Sequence, residues 1–181
     1  MSETFMLIQT NVNFMFVCDT GSKGGYQMKK LLVYVFLLVC LAGCNKDVKD
    51  VVYLDGVSMS PTIEHGDKVI VDKDYYRDND IKRDDLVLFY MEDNEHIKRV
   101  IGLPNELVQI NEGTIYIDNK PLVSEYDFVD VWEGGMPAEG VQLKSDEYFL
   151  IGDNLKPLTS KDSRMIGPIA KENIIGKVVE K

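Results

Sequence analysis

The chain has 181 residues, of which 45% are hydrophobic and 28% charged, with a formal net charge of −10. That is enough apolar material for one core of ordinary size plus a terminal appendage, and it excludes wholesale disorder. The acidic excess argues against binding nucleic acid through a basic surface. Cysteines confined to positions 18, 40 and 44 exclude a disulfide framework or thiolate metal site further along, and His65 and His96 are too few for a histidine-rich metal cluster.

In chain order, the first recognisable segment begins at Met28-Lys29-Lys30, followed by the uncharged, mostly apolar run Leu31 to Gly43, Cys44, and the charged Lys46-Asp47-Val48-Lys49-Asp50. A short cationic start and an apolar centre describe an export signal. The run is short for a spanning helix, which needs about 20 apolar residues. Its end, Leu41-Ala42-Gly43-Cys44, resembles a bacterial lipoprotein signal, which makes Cys44 the expected lipid attachment site. The alternative is a short transmembrane anchor with a chance cysteine. Either way Lys29 and Lys30 stay inside and residues 45–181 lie outside, following the positive-inside bias. Residues 1–27 do not fit an export signal, and translation is expected to start at Met28. Lys23-Gly24-Gly25 can be encoded as a ribosome-binding sequence at a workable spacing before it.

The body reads as strands. Val51–Leu54, Lys68–Val71, Leu86–Tyr90, Ile97–Ile101, Leu107–Ile110, Thr114–Ile117, Tyr148–Ile151 and Ile174–Val179 are short runs rich in Val, Ile, Tyr and Phe. Asn111-Glu112-Gly113 predicts a hairpin between two of them, and Asp118-Asn119-Lys120 a turn after the second. No long stretch carries a helical apolar period. The pattern predicts an all-β domain over 45–181, an antiparallel barrel or sandwich with little helix. Residues 124–146, with Trp132 and Glu133-Gly134-Gly135-Met136-Pro137, read as a long surface loop or inserted hairpin.

Three clusters carry chemistry. The first is Asp55-Gly56-Val57-Ser58-Met59-Ser60-Pro61-Thr62 with Gly66-Asp67-Lys68-Val69, where Ser58 is either an exposed nucleophile or part of an ordinary Ser/Pro turn. The second is His96-Ile97-Lys98-Arg99-Val100-Ile101-Gly102-Leu103-Pro104. Strand alternation puts Lys98 and Arg99 on opposite faces, so one cation points to an apolar side unless both sit at a solvated edge. A buried lysine loses proton affinity and can act as a general base near neutral pH. The third is Gly152-Asp153-Asn154 followed by Ser160-Lys161-Asp162-Ser163-Arg164. Here Asp162 and Arg164 suit a loop-fixing ion pair, and a serine could hold a neutral lysine.

In order and spacing these clusters resemble the type I signal peptidases, serine proteases that remove signal peptides from exported preproteins with a Ser–Lys dyad. The resemblance runs from about Val51 to Val179. It implies Ser58 as nucleophile, Lys98 as general base, Ser160 hydrogen-bonded to Lys98, and Asp162 and Arg164 bracing that loop. It also implies the backbone N–H of Ser58 as an oxyanion donor. Some relatives add a serine hydroxyl two residues earlier, where this chain has Gly56. It implies no metal or cofactor, signal peptides of preproteins as partners, and a membrane location.

The chain departs from the family pattern in the third cluster. Leu155 stands where an arginine is usual, and five residues rather than three separate Asn154 from Ser160, an insertion that could move Ser160. Asn105-Glu106 replace the usual Gly-Asp after the second cluster. The competing reading is a surface lipoprotein of the same fold that binds peptides without cutting them. A self-cleaving repressor would need a DNA-binding domain in place of the export signal, and a histidine base would leave Lys98 unexplained.

Overall fold

The computed structural model describes residues 49–181, so the export-type segment and Cys44 lie outside the described residues. Each apolar run of the body becomes a strand. In chain order the strands are β1 (Lys49–Tyr53), β2 (Lys68–Asp72), β3 (Leu86–Met91), β4 (Asn94–Gly102), β5 (Leu107–Asn111), β6 (Thr114–Ile117), β7 (Lys120–Pro121), β8 (Val141–Gln142), β9 (Glu147–Ile151), β10 (Ile169–Ala170) and β11 (Ile174–Glu180). Three of them, β7, β8 and β10, are two-residue pairings too short to leave a periodic signal. Among the described residues helix is limited to the single turns α1 (Tyr75–Asp78) and α2 (Ser163–Ile166) and a 3₁₀ turn at Lys171–Asn173.

All pairings among the described residues are antiparallel. One sheet has the order β1-β2-β11-β3-β4-β9-β10 and a smaller one β7-β6-β5-β8. Three hairpins close over two residues with positive φ, the signature of turns whose twist matches the strands. These turns are Glu92-Asp93, Glu112-Gly113 and Asp118-Asn119. The first contains neither glycine nor asparagine and was not legible as a turn.

The central strands are buried on both faces. On β3, Val87 and Phe89 enter one apolar cluster with Val100, Tyr148 and Leu150, while Leu88 enters another with Leu54, Met59, Ile63, Val69, Val71 and Ile97. On β9, Phe149 and Ile151 turn the other way, into a third cluster with Ile101, Val108, Ile110 and Ile115. The irregular stretch 124–146 is pinned to this third cluster by buried Val131 and Leu143.

Two of the open strand edges lie on β1 and β4. Among the described residues β1 pairs only with β2. β4 pairs with β3 from Asn94 to Arg99 but meets β9 only from Arg99 onward, so its other edge from Asn94 to Lys98 has no strand partner among the described residues.

Where β4 meets β9 the register shifts between Val100 and Gly102. A β-carbon on Gly102 would stand 2.6 Å from Val108 Cγ2 and 2.8 Å from both Leu143 Cδ1 and Phe149 Cβ. Gly102→Ala is therefore expected to lower the unfolding free energy by about 1–3 kcal/mol through overpacking. Urea titration checks it, and an unchanged midpoint would show that the core yields freely there.

Candidate active site

The loop after β1 and the middle of β4 meet at one pair of side chains. Lys98 Nζ donates to Ser58 Oγ over 2.8 Å and to its neighbour's carbonyl, Ile97 O, over 2.9 Å. Lys98 is 2% exposed. Its pKa is lowered to about 8, first because burial penalises the ammonium and then because of the Arg164 charge, while Asp162 and Asp153 pull the other way. Of the two cations that alternation puts on opposite faces, Lys98 is desolvated, as the resemblance implies for the base. Arg99, on the opposite face, is also buried at 8%, so both cations face inward and neither is solvated at an edge.

Arg99 is tolerated because it is fully paired. Its Nε and Nη2 donate to Asp153 Oδ1 and Oδ2 at 2.8 and 2.6 Å, and Nη1 donates to Asp84 O at 3.0 Å. Tyr126 lays its ring 4.8 Å from the guanidinium and donates its hydroxyl to Asp153 O at 3.1 Å. Thr62 donates to the same carboxylate. Such fork-to-fork pairing offsets the desolvation that a lone buried charge would suffer.

A second pair lies beside it. Arg164 Nε and Nη2 donate to Asp162 Oδ1 and Oδ2 at 2.9 and 2.6 Å, both residues being buried. Asp162 also accepts from the N–H of Gly152 at 2.9 Å and from the N–H of Arg164, which caps α2. Ser160, expected to bond Lys98, instead donates to Asp162 Oδ2 at 2.6 Å, and no Lys98–Ser160 hydrogen bond exists among the described residues. A carboxylate is the stronger acceptor for its single proton. Ser160 nevertheless lies in the site. It is 3% exposed, and a β-carbon on Gly152 would collide with both Ser160 Oγ and the Ser58 carbonyl oxygen.

The longer third-cluster loop does not carry Ser160 away. Its extra residues fold into a local turn, with Thr159 Oγ1 donating to Asn154 O and Lys156 O at 3.1 and 2.8 Å and Leu158 75% exposed. Asn154 ties this loop to the nucleophile loop. Its N–H donates to Ser58 O at 3.0 Å and its Nδ2 to Val57 O at 2.9 Å.

The Ser58 N–H donates to nothing among the described residues. Gly56 has φ of +112° and its N–H donates to His65 Nδ1 at 3.2 Å, so a side chain at 56 would be strained. Neither histidine is hydrogen-bonded to Ser58. His65 is exposed beside Asp55, and His96 packs on Phe89 with its pKa lowered, by burial first and then by Lys98.

Sequence reasoning assigned no role to Thr62, Arg99, Asp153 and Asn154, although all stand within the three clusters. Tyr126 carried no signal at all, since it reaches the site only through tertiary folding of an irregular stretch.

A serine hydroxyl against a buried lysine of depressed pKa, with no histidine hydrogen-bonded to either, is the arrangement of a serine hydrolase that uses a lysine in place of a histidine. A family model described as signal peptidase, peptidase S26, matches residues 27–181. The chain is 35% identical over 147 residues to Signal peptidase I V of Bacillus subtilis (strain 168), an alignment covering 72% of this chain and 86% of that protein. It is 33% identical over 153 residues to Signal peptidase I of Leptolyngbya laminosa, covering 78% and 72% respectively. The chain belongs to the signal peptidase family, peptidase S26. It is a serine endopeptidase of the signal peptidase I type, and its substrates are preproteins bearing signal peptides.

The drop in the Lys98 pKa from 10.5 to about 8 corresponds to about 3 kcal/mol of destabilisation wherever the folded lysine is charged. Between those values the unfolded chain keeps a proton that the folded chain has lost, so stability rises with pH across that window. Lys98→Met is expected to be more stable than wild type at pH 7 and to lose this rise. Urea titrations at pH 7 and 10 check it, and equal stabilities at pH 7 would mean that the lysine is not desolvated.

Proposed function

We propose that Ser58 and Lys98 are the catalytic dyad that cleaves the signal peptide from a preprotein. The 2.8 Å contact between Lys98 Nζ and Ser58 Oγ in a buried setting is the observation that carries this reading. Once Lys98 gives up its proton to solvent, the same contact reverses direction, with the Ser58 hydroxyl donating to the amine. Lys98 takes that proton as Ser58 Oγ attacks the scissile carbonyl, and returns it to the leaving amine as the peptide bond breaks. The acyl-enzyme ester is then hydrolysed by water, with Lys98 again as base. The unengaged Ser58 N–H is one donor for the developing oxyanion. Asp162, Arg164 and Ser160 act indirectly, by fixing the loop against Gly152, and Asn154 fixes the nucleophile's backbone.

The substrate binds extended, adding as a strand to the open edge of β4. What supports this is the absence, among the described residues, of a strand partner for Asn94–Lys98 on the side where Ser58 reaches Lys98.

The full chain in detergent is expected to cut a preprotein after an Ala-x-Ala site, with kcat/KM rising with pH to a plateau above about 8 as the amine forms. Ser58→Ala and Lys98→Ala are expected to lose at least about 10³-fold in rate, and His96→Ala to stay near wild type. Sequencing the new N-terminus checks the cut. Activity surviving in Lys98→Ala would sink the dyad, and a dead His96→Ala would revive a histidine base.

The reading extends to location. We place the catalytic domain on the extracytoplasmic face, held at the membrane through 28–44 with lipid on Cys44. Support comes from the cationic start, the apolar run and the Leu-Ala-Gly-Cys end. Among the described residues no helix is long and apolar enough to cross a membrane. Labelling cells with a tagged fatty acid is expected to mark wild type and not Cys44→Ala. Equal labelling, or none in wild type, would favour a plain transmembrane anchor.

A further inference from the structure

Lys73, directly after β2, spans the space between β1 and β4. Its Nζ lies 2.8 Å from Asp50 Oδ2 on β1 and 3.6 Å from Glu95 Oε1 on β4. Glu95 also accepts from the Tyr90 hydroxyl at 3.3 Å. Val52 and Leu54 follow Asp50 at strand spacing, and Ile97 follows Glu95. Those three side chains pack in one apolar cluster, so the charged trio stands at its outer end. The open edge of β4 therefore runs from Lys98 at the dyad to Glu95 at this bridge. Three residues of strand separate the two, about 10 Å.

The trio holds two carboxylates and one ammonium, a net charge of −1. All three side chains are roughly a third to two-fifths exposed, at 31% for Lys73, 43% for Asp50 and 36% for Glu95. Pairs this exposed are worth about 0–1 kcal/mol each. They are closed at rest, yet an incoming peptide strand can rearrange them and substitute its own charge.

We propose that Asp50, Lys73 and Glu95 form a charge filter at the outer end of the substrate cleft, favouring preproteins with a basic residue over those with an acidic residue three positions beyond the attacked one. This rests on the signal peptidase reading and on β4 as the substrate track. If the peptide's N-terminal side points toward Glu95, the residue concerned is the fourth before the cut; otherwise it is the third after it. Both positions leave an Ala-x-Ala site intact.

The test uses the full chain in detergent and a preprotein carrying Lys, Ala or Glu at each of those two positions. The readout is the Lys-to-Glu ratio of kcat/KM. Because both rates come from one preparation, any misfolded fraction cancels. Wild type is expected to favour Lys by about two- to fivefold at one position only, the span that exposed ion pairs allow. Lys73→Gln leaves two carboxylates and is expected to raise the ratio by a similar factor. Glu95→Gln and, separately, Asp50→Asn are expected to lower it toward one. In about 0.5 M salt the preference is expected to fade as screening shortens to about 4 Å. An equal ratio in all four proteins, with the Ala substrate cut, overturns the filter alone. Failure of wild type to cut the Ala substrate overturns the signal peptidase reading and the filter together.

Discussion

Keeping one amine out of water constrains everything around Ser58. Lys98 lies on β4 beside β3, a strand buried on both faces, and is itself only 2% exposed, so its ammonium is held largely out of solvent. Its surroundings are also neutral without it. The other buried charges beside it are Arg99 and Arg164, matched one for one by Asp153 and Asp162. A protonated Lys98 gives the cluster an unbalanced positive charge, and a deprotonated one leaves it neutral. Desolvation is the largest cause of the lowered pKa, and the Arg164 charge adds to it against the pull of Asp162 and Asp153. The same burial that costs stability thus lowers the proton affinity of a residue that is ordinarily protonated at neutral pH, as the base role proposed for it requires.

A base of this kind is useful only if the hydroxyl it serves does not wander. Backbone rather than side chain does most of the fixing. Asn154 grips the carbonyls of Val57 and Ser58, and Gly152 lets Ser58 O and Ser160 Oγ approach closer than any β-carbon allows. Ser160 spends its proton on Asp162, which also takes the Gly152 N–H. The third cluster is therefore a scaffold for the nucleophile loop as much as a support for the lysine. Among the described residues no buried side-chain nitrogen or oxygen lacks a partner. That is what a site requires if its geometry is to be set before the substrate arrives.

Much of this could be read from the sequence because short β-rich runs bounded by turn residues mark strands and the three clusters stand in the family's order. Short apolar runs between turn residues located the eight longer strands, alternation put Lys98 and Arg99 on opposite faces, and the family resemblance singled out Lys98. Alternation could not foresee burial of Arg99 as well, because solvation of one face depends on whether a second layer covers it, and here Asp153 and Tyr126 do. Ser160 was placed in the right neighbourhood with the wrong partner. The family resemblance brings Ser160 near Lys98, but competition among acceptors decides where its proton goes. The insertion after Asn154 looked disruptive by residue count and proves local, since Thr159 closes it on Asn154 and Lys156. The Glu92-Asp93 turn was invisible because its positive φ angles are imposed by the register of β3 and β4 rather than by its own residues.

The cleft that these edges define is unlike at its two ends, and the difference comes from burial. At the dyad the ion pairs are dry, bidentate and held by backbone donors, so a charge there has nowhere to relax. At the Lys73 end the same chemical groups are wet and joined by single contacts. Bond cleavage needs donors and acceptors that stay in place while charge develops, which suits the dry end. Discrimination among many preproteins needs contacts weak enough to be exchanged for those of the substrate, which suits the wet end. Burying the Lys73 trio would make it a fixed part of the fold, and exposing Asp162 and Arg164 would let the loop behind Lys98 drift. The division of labour along β4 thus depends on how far water penetrates between β1 and β4.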